Sequence, residues 1–306
     1  MIAQLAQFWG AAWENAGVDP ATSLEAPELK FVSANGLRVA MWDWPGADPP
    51  LVFAHATGFH GRCWDRIAHA FPGRRRLAVE FRGHGRSDKP VPPYRWPEFG
   101  RELAAVAAAF EIESAVGAGH SMGGYALVAA ALDRPGTFAA LLLIDPTIFP
   151  VEYYSAPPID ASFIRRRRNL WRSADQMFQR FRERGPFTRW RPEVLRDYCD
   201  FALLANDGQW ALACPPDVEA SIYEHSNMPE ANLHPAIPSI REPAVVLRAG
   251  KLPPRAVFDP AASPTAPDLA AKFPRGRDIW LRDRDHFIPM ESPEIVIEEM
   301  RKLCTR

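Results

Sequence analysis

The stretch Gly117 to Ala126, GAGHSMGGYA, constrains the fold more than any other part of the chain. It joins the apolar run Ala115 to His120 to a helix-like, alanine-rich segment from Met122 to Leu132, with Ser121 at the junction between Gly119 and Gly123. In that context G-x-S-x-G predicts a strained strand-turn-helix: the flanking glycines let strand and helix approach closely, and the serine hydroxyl is held at the surface of the turn. The N-terminus of the following helix favours negative charge beside that hydroxyl.

One strand of this kind needs partners, and the chain supplies strand-sized apolar runs at Leu37–Trp44, Leu51–His55, Leu77–Phe81, Ala140–Asp145, Ala244–Ala249 and Asp278–Leu281. Helix-like segments such as Glu98–Phe110 lie between many of them, and this alternation predicts an α/β fold whose mostly parallel sheet carries helices on both faces. Ser292 suits an N-cap and Pro293 the first position of a last helix with Val296, Met300 and Leu303 on one face. The alternation fails between 148 and 240, where helix-like pieces rich in Trp, Arg and Pro follow one another without an obvious strand, so this segment reads as a helical insertion. Its run Arg165 to Arg168 reads as a solvated helix face, with an anion site as the competing reading. At the N-terminus, Ile2, Leu5, Phe8, Trp9 and Trp13 recur at helical spacing and predict an amphipathic helix docked on the body or on a second copy of the chain.

Charge narrows the partners. With 36 Lys and Arg against 37 Asp and Glu, the net charge of -1 gives no long-range field for nucleic acid or an anionic membrane. A small, weakly charged molecule fits better. Cys63, Cys199, Cys214 and Cys304 are scattered and read as reduced packing residues. No basic region precedes the apolar residues at the start and no apolar run reaches bilayer length, so the expected location is the cytoplasm and no membrane span is expected. His60, His69, His225 and His234 show no metal-ligand spacing, and Gly83-His84-Gly85 is too short for a dinucleotide fingerprint. Neither metal nor cofactor is expected.

Three further motifs accompany the serine. His55-Ala56-Thr57-Gly58 is followed by Trp64, the block from Glu80 to Asp88 reads EFRGHGRSD, and Asp285-His286-Phe287 precedes Glu291-Ser292-Pro293-Glu294. In this order, and over nearly the whole chain, they resemble the α/β-hydrolase superfamily, in particular its esterase, lactonase and haloperoxidase-like branch. Ala56 stands where that family usually has glycine, Gly58 where proline is frequent, and Glu80 where aspartate opens the block. The resemblance implies an α/β-hydrolase core formed by residues 1–147 and 241–306, with 1–30 as a helical extension and 148–240 as a helical cap. It implies Ser121 as nucleophile, His286 as base and the backbone N–H groups of Thr57 and Met122 as the oxyanion hole, with His55, Trp64 and His120 near the substrate.

A serine hydroxyl must pass its proton to a base as it attacks, and a histidine, with an ordinary pKa near 6.5, serves that purpose at neutral pH. The third member is less determined. After the run Ala244–Ala249, where the family most often carries its acid, the sequence is GKLPP without a carboxylate. Asp145, 24 residues after Ser121 at the end of a preceding strand, is the expected acid, and Asp259 in the Pro-rich loop is the alternative. A serine rather than an aspartate nucleophile points to acyl transfer from an ester, lactone or thioester; hydrolysis of a carboxylic ester is expected, with a lactonase, a perhydrolase, a carbon-carbon bond hydrolase or a non-catalytic ligand-binding protein as the alternatives. Trp171, Phe178, Phe181, Trp190, Tyr198, Trp210 and Tyr223 are expected to be divided between an apolar pocket and the insertion's own core.

Overall fold

The computed structural model describes residues 26–250 and 259–305. The expected N-terminal helix and part of the loop after Gly250 lie outside them. Eight strands form the main sheet in the order β1 (Glu28–Ala34), β2 (Leu37–Trp44), β4 (Arg74–Glu80), β3 (Ala47–Ala54), β5 (Ala115–His120), β6 (Phe138–Ile144), β10 (Ala244–Ala249) and β11 (Gly276–Leu281). From β4 to β11 neighbouring strands run parallel, whereas β1 and β2 join antiparallel at one edge.

The central strands are buried on both faces, as parallel strands under two helical layers must be. β5 has six consecutive buried residues and β6 has leucines or isoleucine at 141 to 144, with no polar alternation. On one face, Val52, Val79, Leu141 and Val246 pack with Phe99 and Leu103 of α1 (Trp96–Ala109) and with Tyr125 and Leu127 of α2 (Met122–Asp133). On the other, Phe53, Leu142 and Leu247 pack with Trp64, Ile67 and with Val296, Met300 and Leu303 of α6 (Pro293–Cys304). The last helix therefore starts where its sequence predicts, although the Ser292 hydroxyl accepts from Arg284 Nε at 2.7 Å and makes no side-chain cap bond.

Between β6 and β10 the chain leaves the sheet. This segment holds α3 (Ala174–Phe181), α4 (Pro192–Phe201) and α5 (Pro216–Glu224), but it is not all helical: β7 (Leu170–Trp171), β8 (Leu203–Asn206) and β9 (Gln209–Leu212) form a small antiparallel sheet in the order β7-β9-β8. These strands have two to four residues and alternate little, too short for a periodic signal. Their core joins Met177, Phe181, Trp190, Leu195 and Tyr198 to Phe59 and Phe287 of the main body. Polar contacts fasten the same junction: Arg66 grips Asp197 at 2.6 and 3.0 Å, and His60 Nε2 bonds the carbonyl of Tyr198 at 2.9 Å. No helix among the described residues is long and apolar enough to cross a membrane.

Candidate active site

Ser121 sits between the last residue of β5 and the first of α2, at φ 55° and ψ −117°. For a residue with a Cβ this conformation costs on the order of 1–3 kcal/mol, and the surroundings impose it. A Cβ on Gly123 would lie 2.0 Å from the carbonyl oxygen of Ala54, at the end of β3, and one on Gly119 would lie 2.5 Å from the carbonyl oxygen of Gly123. Strand, turn and helix thus close on one another only because both flanking residues lack a side chain. The Ser121 amide donates to the carbonyl of Ile144 at 3.0 Å, which fixes the turn to the end of β6.

Asp145 follows β6 directly and also has positive φ, 42°. Its amide donates to the Leu247 carbonyl at 2.7 Å, so its backbone is tied to β10. Its two carboxylate oxygens have separate partners. Oδ1 accepts from the Ala249 amide at 3.0 Å, the Ser263 hydroxyl at 2.6 Å and the Thr265 hydroxyl at 3.1 Å, whereas Oδ2 is 2.7 Å from His286 Nδ1. His286 Nε2 lies 2.9 Å from Ser121 Oγ. The three residues expected from the sequence therefore form one continuous line of hydrogen bonds, contributed by the ends of β5 and β6 and the loop after β11. Asp259 is turned to its own loop, where its Oδ1 accepts from the amide of Ala261 at 2.9 Å.

His286 is oriented by its backbone as well, since its amide donates to Ala261 at 3.0 Å and its carbonyl bonds His120 Nε2 at 2.8 Å. Thr147, unremarked in the sequence, places its hydroxyl 3.0 Å from Ser121 Oγ, and its amide donates to the Ser121 carbonyl at 3.1 Å. Its one signal in the sequence is position, two residues beyond Asp145 at the same strand end. Ser263 and Thr265, which hold Asp145, carry no local signal at all.

The other histidines at this edge are structural by their contacts. His55 accepts from the Phe81 amide on Nε2 and donates from Nδ1 to the Ala56 carbonyl at 2.8 Å. His84 accepts from the Gly58 amide at 3.0 Å and donates to the Arg82 carbonyl at 2.9 Å. Burial disfavours the imidazolium of His55, pulling its pKa down to about 4, and pulls those of His84 and His120 well below the ordinary value. Trp64 is buried and stacks on Phe53 with ring centroids 5.2 Å apart. Glu80 stays acidic because Arg86 and the indole of Trp42 offset its burial.

A cavity of about 450 Å³ reaches Phe287, the residue after His286, although Ser121, Asp145 and His286 are not themselves in its wall. Thr57, Gly58 and Phe287 of the main body line it, and so do Trp171, Phe181, Tyr198 and Tyr223 of the insertion. Phe178, Trp190 and Trp210 face elsewhere, and His55, Trp64 and His120, expected near the substrate, lie outside the cavity wall. Met122 is buried at the first position of α2, where amides have no acceptor within the helix. The run Arg165 to Arg168 is divided. Arg165 pairs on the surface with Glu224, while Arg166, Arg167 and Arg168 line the cavity. Among the described residues no group of three or more His, Cys, Asp or Glu side chains is placed to hold a metal ion.

Known proteins share this architecture. A structure of E-2-(acetamidomethylene)succinate hydrolase superposes on 92% of this chain and all of its own, with a TM-score of 0.75 at 18% identity. An N-formylmaleamate deformylase of Pseudomonas putida is 28% identical over 229 residues, 72% of this chain and 77% of the deformylase. Lipase LipV of Mycobacterium tuberculosis is 34% identical over 107 residues, 34% of this chain, and the match spans only 40% of the lipase's length. The pattern of the alpha/beta hydrolase family matches residues 51–299, from β3 to the last helix and across all the site residues named above, and the chain belongs to that family.

Proposed function

We propose that the chain is a serine hydrolase that cleaves a carboxylic ester through an acyl-enzyme. The observation that carries this reading is the unbroken contact from Ser121 Oγ to His286 Nε2 and from His286 Nδ1 to Asp145 Oδ2, at 2.9 and 2.7 Å. As Ser121 Oγ attacks the ester carbonyl, its proton passes to His286 Nε2, and the carboxylate of Asp145 stabilises the imidazolium while holding Nδ1–H in place. The oxyanion is received by the amides of Met122 and Thr57, the first reinforced by the N-terminus of α2. The imidazolium then gives its proton to the departing alkoxide, the C–O bond breaks, and the acyl group remains on Ser121. A water deprotonated by the same Nε2 attacks the acyl-enzyme, and the acid leaves with serine restored.

In this reading the two hydroxyls and the amide around Asp145 Oδ1 keep that oxygen from competing for Nδ1, and the Thr147 hydroxyl donates to Ser121 Oγ when the serine proton points at His286. The insertion between β6 and β10 serves as the cap over the acyl group. A second reading, hydrolysis of an amide by the same groups, is favoured by the deformylase match, which extends over most of both chains.

A fluorophosphonate should label the protein once, and Ser121→Ala should abolish both labelling and ester turnover. Turnover that survives Ser121→Ala rules out the nucleophile, and labelling without turnover of any ester, lactone or amide in a graded panel points to a ligand-binding descendant of a hydrolase. His286→Ala should lose turnover with the fold intact.

A further inference from the structure

The cavity lined by Thr57 and Phe287 has two chemically different walls. Trp171, Phe181, Phe187, Tyr198 and Phe287 give it an aromatic side, and Arg166, Arg167, Arg168, Arg180 and Arg184 are the five arginines of its lining. Among the described residues only one carboxylate, Glu219, joins them in the wall. Arg167 Nη1 contacts both its oxygens, at 2.5 and 2.6 Å. That pair is lodged against the loop carrying Thr57: a Cβ on Gly58 would lie 3.0 Å from Glu219 Oε1. Arg167 is thereby neutralised at the Gly58 end of the cavity.

The other four are not. Arg168 has neutral partners only, donating to the Leu170 carbonyl at 2.7 Å and to Gln176 Oε1 at 3.1 Å while lying 4.5 Å over the Trp171 ring. Arg166, Arg180 and Arg184 form no ion pair among the described residues. Elsewhere in the insertion Arg165 meets Glu224, Arg189 meets Glu291, Arg191 meets Glu294 and Arg196 meets Asp200, whereas Arg172 and Arg182 form no ion pair among the described residues. Four of the insertion's arginines without an ion pair nevertheless gather round this one cavity. All four are solvent-exposed, yet like charges gathered round one concave site repel each other and create a positive potential, which an anion relieves, and a carboxylate suits arginine because it accepts two parallel N–H bonds from one fork.

We propose that the cavity selects an acyl group ending in a carboxylate, with its hydrocarbon part on the aromatic wall and its charge among Arg166, Arg168, Arg180 and Arg184. This assignment rests on the serine hydrolase reading for its orientation, with the scissile carbonyl at Ser121 and the carboxylate at the far end. Glu219 sharpens it, since a carboxylate placed near Gly58 meets a like charge there.

The test compares 4-nitrophenyl hemiadipate with 4-nitrophenyl hexanoate, two acyl chains of equal carbon number that differ in a terminal carboxylate. The charged ester should have the higher kcat/KM by about tenfold at roughly 0.01 M ionic strength, and the advantage should shrink severalfold at roughly 1 M. In Arg180→Gln/Arg184→Gln the ratio of the two esters should move toward unity, mainly through KM. Equal rates for the two esters in the wild type, or a ratio that ignores both salt and the double substitution, overturns the proposal. Binding of monomethyl adipate to Ser121→Ala, followed by calorimetry, gives a readout that needs no turnover: it should be detected, and lost in Arg180→Gln/Arg184→Gln. If fluorophosphonate labelling and turnover of both esters are absent while monomethyl adipate still binds through these arginines, the hydrolase reading has failed and the carboxylate site stands. Absence of binding, or stronger binding of inorganic phosphate at the same arginines, overturns the carboxylate assignment.

Discussion

The carboxyl edge of the main sheet and the insertion above it meet at the same cavity but are built in opposite ways. At the edge, each polar residue is anchored through its own backbone: Asp145 is tied through its amide to β10, Ser121 through its amide to β6, and His286 through both its amide and its carbonyl, with the Ser263 and Thr265 hydroxyls adding hold on the Asp145 carboxylate. In the insertion, position is set by side chains, by stacked rings such as Phe181 on Phe187 at 4.3 Å between centroids and by arginine–carboxylate pairs such as Arg167–Glu219. Backbone-fixed geometry is stiff and chemically general, whereas a side-chain wall is reshaped by substitution. The edge accordingly suits the reaction and the insertion suits the choice of substrate.

The sharpest way to break this contrast is at Asp145, the proposed triad acid. Asp145→Asn keeps the size of the side chain and leaves an acceptor for Ala249, Ser263 and Thr265, but it removes the charge that orients Nδ1–H and supports the imidazolium. In a serine protease triad the same aspartate-to-asparagine change costs about 10⁴ in kcat. The same order is expected here, with Asp259→Asn close to wild type and circular dichroism unchanged in both. A dead Asp259→Asn beside an active Asp145→Asn transfers the role to the loop after β10.

The stiffness of the edge makes a second prediction. A methyl group at Gly123 has nowhere to go, because it meets backbone atoms of Ala54 and His55 and no side chain that can turn away. Gly123→Ala should cost about 3 kcal/mol or more, lowering Tm by roughly 5 °C or more in a thermal melt. Trp210→Ala on β9, whose ring is 43% exposed, is the matching change in the insertion and should stay within about 1 kcal/mol. Equal losses would mean that the insertion is as tightly determined as the sheet.

Within the insertion, Arg167→Met tests whether a side-chain pair holds the cavity wall. Burial raises the Glu219 carboxyl above its ordinary range, and Arg167 is the main opposing influence. A carboxyl whose folded pKa is raised favours folding most in acid and loses that contribution as pH climbs through the folded value. Without Arg167 the folded value rises further, so ionising Glu219 becomes costlier. Part of the guanidinium is exposed, and the expected loss at about pH 8 is therefore roughly 2 kcal/mol, below that of a fully buried pair. It should shrink as the pH falls and the acid becomes protonated, and Tm measured at neutral and at acidic pH checks it. A deficit that grows in acid contradicts the assignment.

The same division governs what the sequence discloses. β5, β6 and β10 are continuous apolar runs, and the glycines around Ser121 report a local packing need, so the central strands, the turn and its neighbours are legible. β1 at the sheet edge is not: its residues are mostly exposed and partly buried in alternation, and no apolar run marks it. β7 to β9 are stabilised by pairing with one another and by the underlying core, which no short window contains. The contact between Asp145 and His286 joins residues 141 apart, so spacing proposes both but leaves Asp259 open. The Arg165 to Arg168 run is visible as charge, yet its division between surface and cavity depends on Glu224 and Glu219, more than 50 residues away.

The smallest effect concerns the aromatic wall itself. If it receives the hydrocarbon of the acyl group, each added methylene removes apolar surface from water and contributes about 0.8 kcal/mol, roughly fourfold in kcat/KM, until the cavity is filled. A series of 4-nitrophenyl esters from acetate upward should therefore rise and then fall, and Phe187→Ala should move the maximum to longer chains by enlarging the space among Phe181, Trp190 and Tyr198, its ring partners. The edge should not respond in this way: Thr147→Val, which removes the hydroxyl beside Ser121 Oγ but leaves the wall intact, should lower every member of the series by a similar factor and keep the maximum where it was. A maximum that moves in Thr147→Val and stays in Phe187→Ala would place the control of acyl length at the sheet edge and remove the distinction between the two regions.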